Sequence, residues 1–158
     1  MRWDALETEA CSLARTVSVI GDRWTLLILR DCFLRIRRFD DFQTRLGIGR
    51  PILADRLRKL VEAGVLEKVK YQEGPARYEY RLTRRGLDLH PIILAIVHWG
   101  DVHLSGEAGR PLLHRHETCG QIFDPVMVCS ECGEPVTPQS VQVLEGPGLM
   151  GKAKHPPA

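Results

Sequence analysis

The residues best suited to inorganic chemistry sit together near the end of the chain. His116 and Cys119 are spaced H-x2-C, Cys129 and Cys132 are spaced C-x2-C, and nine residues separate the two pairs. A tetrahedral Zn2+ takes four ligands of these types, and glycine after the second ligand of each pair (Gly120, Gly133) lets the backbone turn its N–H groups toward sulfur. The spacing therefore predicts one structural Zn2+ per chain, held by His116, Cys119, Cys129 and Cys132 in a small ribbon, with His114 as an alternative to His116. Four protein ligands leave no open coordination position, so such a site would be structural and not hydrolytic.

The remaining cysteines read differently. A thiol near a helix N-terminus ionises more readily and attacks as thiolate, which makes Cys11 a candidate redox sensor; a small apolar residue of the first helix is the other reading. Cys32 falls in an apolar helix and reads as core. His98 and His103 lack the glutamate of a metalloprotease motif and read as packing residues. Five cysteines are an odd number, and the acidic start MRWDALETEA has no apolar export segment, so a disulfide framework is not expected.

The second chemical group is cationic. The net charge of the 158 residues is only +2, yet residues 35–85 carry fourteen basic and seven acidic side chains, a net +7. Residues 1–34 have four basic and five acidic side chains (net −1), and residues 86–158 have four and eight (net −4). The middle third is thus the candidate face for a polyanion. Its candidate DNA contacts are Arg50, Arg56, Arg58 and Lys59 on one helix, Lys70 and Arg77 beside a turn, and Arg37 and Arg38 ahead of a short helix. Arg56 flanks the apolar stripe, where it could grip a phosphate or an internal acid.

Those groups need elements to hold them. Apolar residues recur at helical spacing from Thr8 to about Ile20, and Gly21 ends that run. Asp22 can cap a second helix, RWTLLILRDCFLR, dense enough in Leu and Ile to be buried nearly all round. A third short helix follows in FDDFQTRL, with Phe39, Phe42 and Leu46 on one side. LGIG (46–49) is a tight turn whose glycines can take left-handed dihedrals. A fourth helix runs over 50–63 with Pro51 in its first turn and Gly64 at its end. Its Leu53, Leu57 and Leu60 share one face, leaving a polar, partly cationic ridge opposite.

After Gly64 the pattern alternates, and VLEKVKY and ARYEYRLT read as two strands joined by Gln72-Glu73-Gly74-Pro75. Helix, turn, helix and hairpin in this order are a winged helix-turn-helix. A major groove roughly 12 Å wide admits one helix, and cations beside it neutralise the flanking phosphates. From Thr83, a possible cap, a long apolar helix is expected to about residue 104, kinked or divided by Pro91. It is apolar on more than one face, which calls for a second copy of the chain as partner.

The expected class is α+β, mainly α: a winged helix-turn-helix with a C-terminal dimerisation helix and a ribbon-like tail. The domains are 8–104 for DNA binding and dimerisation, 105–111 as linker, 112–138 as zinc ribbon and 139–158 as a flexible tail. Apolar content of 44% and charged content of 27% suit a soluble domain. The longest apolar stretch, Ile92 to Val97, is too short to cross a bilayer, so a cytoplasmic location is expected. Neither a phosphate loop, a nucleophile elbow nor a catalytic carboxylate pair is present, which argues against an enzyme.

The run from Cys11 to about residue 104 resembles the HxlR-type transcriptional regulators, relatives of the MarR winged-helix proteins. The resemblance rests on Ala14-Arg15-Thr16, Trp24-Thr25-Leu26-Leu27-Ile28-Leu29, Arg38-Phe39, Leu53 with Arg56-Leu57, Glu62-Ala63-Gly64, and Tyr78-Glu79-Tyr80 with Leu82-Thr83. It implies a homodimer that binds promoter or operator DNA, most often as a repressor. It also implies a redox or small-molecule effector, since some members sense oxidants through a cysteine at the position of Cys11. The chain departs from the family pattern at Ser12, where proline is usual, and at Gly49-Arg50-Pro51. A zinc-ribbon interaction module, whose winged domain docks protein in place of DNA, is the competing reading, but it does not account for the +7 of the middle third.

Overall fold

The computed structural model describes residue 6 and residues 8–149. The expected tail is therefore described only as far as 149, and 150–158 lie outside the described residues.

Helix α1 spans Ser12–Ile20, with Cys11 at its N-cap, and begins four residues later than its apolar pattern. Asp22 caps α2, Arg23–Phe33, as expected: its Oδ1 accepts the N–H of Trp24 at 3.0 Å and of Thr25 at 3.2 Å. Ile28, Leu29 and Cys32 on α2 are buried, and so is the carboxylate of Asp31. A buried charge persists only when compensated. Arg30 Nε supplies one bond at 2.9 Å, and Arg45 Nε, from the third helix, supplies another at 3.3 Å.

Helix α3, Phe39–Leu46, buries Phe42 and sets Phe39 and Leu46 against the same core. Of the two glycines in the following turn only Gly47 is left-handed (φ 60°). Gly49 is instead extended and serves as N-cap of α4, Arg50–Glu62. Leu53, Leu57 and Leu60 are all buried, at roughly 1.5–3 kcal/mol of transfer free energy each. Gly64 closes α4 in the left-handed region (φ 68°).

Strands β1, Leu66–Gln72, and β2, Arg77–Leu82, pair antiparallel from Leu66 opposite Leu82 to Lys70 opposite Tyr78, with a bulge between Lys70 and Gln72. The hairpin is stitched to the segment before α3: the Tyr80 N–H donates to the Arg37 carbonyl at 2.7 Å, and Arg38 bridges Glu79. Thr83 ties its base, donating its hydroxyl to the Gly64 carbonyl at 2.6 Å and accepting the Gly86 N–H at 3.1 Å.

The expected long helix is two, α5 at Arg84–Leu87 and α6 at His90–Leu104. The break falls at Asp88-Leu89, upstream of Pro91, because proline is accommodated in the first turn of a helix and not in its middle. Gly86 lies so near the Val65 carbonyl that a Cβ there would collide with it. One core, drawn from α2, α3, α4, the start of β1 and Ile93 of α6, joins these elements. The fold is mainly helical with one two-stranded sheet, and no described helix is long and apolar enough to cross a membrane. The segment expected as a linker contains a 3-10 turn, Gly106–Ala108, and Arg110 near its end pairs with Asp124 of the expected ribbon.

Candidate nucleic-acid interface

The buried leucine stripe of α4 turns the opposite side of the helix to solvent. Arg58 and Lys59 stand on that side, with side chains 56% and 57% exposed, while Arg50, at the first turn, lies on the flank toward α3. Arg56 differs: its side chain is only 24% exposed. Its guanidinium meets Asp22 and Asp55, so the structure realises the internal-acid role, and Arg56 braces α4 against α2. The Asp22 pairing raises the Arg56 pKa, against the opposing effect of burial.

Asp55 organises the ridge. It receives Arg56, Arg58 and Lys59 together, with Lys59 Nζ at 3.1 Å, and Arg58 also reaches Glu62 at 2.7 Å. The Lys59 hydrogen bond is the chief cause of a carboxyl pKa below the ordinary value, with Arg58 adding to it against a small desolvation. Arg50 Nη1 binds Gln43 at 3.0 Å and Asp40 at 3.2 Å, and its guanidinium lies 4.8 Å from the Phe39 ring centroid.

The start of α3, the first residue of α4 and the wing enclose a cleft of about 440 Å³. Arg38, Arg50 and Arg77 all line it, so three residues picked out separately from the sequence share one concavity. Lys68 joins them. Sequence reasoning passed over Lys68, although its alternation with Val69 on β1 placed it on the same strand face as Lys70. Its ammonium lies 4.3 Å from the Tyr78 ring, and Arg38 lies 4.9 Å from the Tyr71 ring. These exposed tyrosines hold extended cations in place. Lys70 sits at the tip, 2.7 Å from Glu73, and Arg37 is exposed, with its carbonyl accepting from the wing.

The described thiols fall into two environments. Cys32 is buried, and burial, helped by the charge of Asp31, pushes its thiol up to about 12. Cys11, Cys119 and Cys132 are exposed, and Cys129 is partly so. His116 and Cys119 form one pair and Cys129 and Cys132 another. Among the described residues no three His, Cys, Asp or Glu side chains gather at one point.

Taken together, a helix with a buried stripe and a cationic ridge, followed at once by a basic hairpin, defines a winged helix-turn-helix. Residues 19–108 match the HxlR-like helix-turn-helix family, and the chain belongs to that family of DNA-binding transcriptional regulators, which are not enzymes. An uncharacterized HTH-type transcriptional regulator of Mycobacterium tuberculosis, Rv3095, is 45% identical over 144 residues, 91% of each chain. The crystal structure of PA1607, described as a candidate transcription factor, covers 90% of this chain and 99% of its own, with 34% identity and a TM-score of 0.81. The redox regulator HypR in its reduced form aligns with 62% of this chain and 96% of its own, at 27% identity and a TM-score of 0.55.

Proposed function

We propose that the protein is a homodimeric repressor that enters the major groove with α4 and reaches the adjacent backbone with the β1–β2 wing. The observation that carries this reading is the convergence of Arg38, Arg50, Lys68 and Arg77 on one cleft, where they outnumber Asp40 and Asp41, together with the exposure of Arg58 and Lys59 on α4. In this reading Arg50 and Arg58 take base edges. Arg37, Arg38, Lys59, Lys68, Lys70 and Arg77 are placed for phosphates, which fix register without reading sequence.

The second copy is supported by α6. Ile92, Ile96, Trp99 and Val102 leave an exposed apolar strip along it, with Trp99 57% exposed, and Leu13 of α1 is exposed as well. Pairing two such strips would cover them and repeat the reading helix at the spacing of successive grooves. A repressor of this kind acts by occupying the promoter. An effector response through Cys11 is part of the proposal, supported by its exposure at the α1 N-cap and by the likeness to HypR.

The test is fluorescence-anisotropy titration of the full chain against duplex from upstream of its own gene, over a range of salt, alongside light scattering for mass. Affinity should fall steeply and log-linearly with salt, and the mass should be that of two chains. Salt-independent binding, or a single-chain mass, would refute the reading. Reporter transcription from that promoter should rise when the gene is deleted, and a fall would make the protein an activator.

A further inference from the structure

The tail contains the same backbone loop twice. Around the first pair, the His116 N–H donates to the Gln121 carbonyl (2.9 Å), the Gly120 N–H to the His116 carbonyl (2.8 Å), and the Phe123 N–H to the His114 carbonyl (3.0 Å). Around the second pair, the Cys129 N–H donates to Glu134 (2.9 Å), the Gly133 N–H to Cys129 (2.9 Å), and the Val136 N–H to Met127 (2.9 Å). The flanking bridges correspond too, Arg115 with Ile122 and Val128 with Pro135. Gly120 and Gly133 both take left-handed dihedrals, φ 71° and 76°. Each relation in one loop has its counterpart in the other at a constant shift along the chain.

The superposition is chemical as well as geometric. His116 falls where Cys129 falls, and Cys119 where Cys132 falls. His116 Nδ1 lies 3.4 Å from Cys119 Sγ, so both ligating atoms face one point. His114 corresponds to Met127 and gives only its carbonyl to the loop, which selects His116 over His114.

Beyond the half-buried Phe123 ring set edge-on to His116, little apolar contact holds these loops. No residue of 112–138 is buried. A segment this short and coreless ordinarily depends on a cross-link or a metal. We propose that the two loops are the halves of one structural Zn2+ site, with His116, Cys119, Cys129 and Cys132 as its ligands, brought together when the ion binds. Three sulfurs and one imidazole nitrogen are a donor set for tetrahedral Zn2+, and the four leave no position for substrate.

The test uses the full chain purified without chelator. Metal analysis should find one zinc per chain, and Co2+ added to the stripped protein should give thiolate-to-cobalt charge-transfer absorption with tetrahedral d–d bands. Cys132→Ser and His116→Ala should each weaken zinc by more than the roughly 10–100-fold that a supporting residue costs. His114→Ala should leave affinity unchanged. Far-UV circular dichroism and DNA affinity of each variant report on the winged domain independently. Zinc well below one per chain without cobalt–thiolate absorption overturns the proposal. So does half a zinc per chain, which would mean a site shared between copies, or loss of metal in His114→Ala with retention in His116→Ala.

Discussion

Arg56 of α4 reaches the N-cap of α2, where its Nε lies 2.8 Å and its Nη2 3.3 Å from the two carboxylate oxygens of Asp22. The same carboxylate caps α2 through Trp24 and Thr25, so one acid fixes the start of one helix and the flank of another. Charged hydrogen bonds of this kind contribute about 1.5–3 kcal/mol when well buried. The pair is partly exposed, so its coupling should be nearer ~1 kcal/mol. Urea denaturation of Arg56→Ala, Asp22→Ala and the double variant measures it. A coupling of zero would mean that Arg56 is not a brace.

The pH dependence of this joint has a definite sign. Burial pushes the Asp22 carboxyl up, but the Arg56 hydrogen bond, the Thr25 and Trp24 N–H groups and the Arg56 charge together bring it below its ordinary value of 3.8. A carboxyl depressed on folding contributes stability that is fully present above 3.8 and is lost as the pH falls through the folded value. The stability gap between wild type and Asp22→Asn should therefore narrow in acid. Denaturation midpoints measured from pH 7 downward check this, and a gap that widens would contradict it.

Salt titrations separate bracing from contact. Arg77→Ala should reduce the slope of log K against log salt by about 1 and weaken all sequences alike. Arg58→Ala should cost about 1–3 kcal/mol on the matched operator and less on random duplex. Arg56→Ala should leave the slope unchanged, because its guanidinium is half-buried against Asp22 of α2 and does not stand on the exposed ridge.

Gly86→Ala should destabilise the chain by roughly 1–3 kcal/mol, since the added methyl meets the Val65 carbonyl, a backbone atom that cannot rotate away. Thermal unfolding shows the effect directly. An unchanged midpoint would mean that α5 can lift from the base of the wing at no cost.

Thiol labelling at neutral pH should modify Cys11 quickly and spare Cys32, whose thiol is buried and raised to about 12. Mass spectrometry of briefly labelled native protein distinguishes them. Rapid modification of Cys32 would show that the α2 core opens readily.

Much of this architecture is legible in the sequence because it is local. The Leu53, Leu57 and Leu60 stripe, the Asp22 and Thr83 caps and the Gly47 and Gly64 turns depend on neighbours within a few residues, where periodicity and dihedral preference act. The Asp22–Arg56 joint spans 34 residues, and the buried Asp31 is neutralised by Arg45 from another helix. No periodicity encodes such pairings, which arise only once packing brings the helices together. The cleft is similar: Arg38, Arg50 and Arg77 were visible one by one, while Lys68 became part of the set through the curl of the hairpin. The division of the last helix was signalled by Pro91, but its position at Asp88-Leu89 was not, because the apolar pattern runs straight across it.

The cations of α4 are not idle before DNA arrives. Asp55 and Glu62 already hold Arg58, and Asp55 holds Lys59, so in the proposed binding mode any DNA group that takes either cation displaces a resident carboxylate. Each displaced pair is exposed and worth only about 0.2–1 kcal/mol, so the exchange is a small toll on any contact. On a cognate sequence the released guanidinium gains a base edge besides. In the proposed binding mode a helix that furnishes its own competitor anions would trade grip for discrimination and hasten departure from the wrong stretch of chromosome.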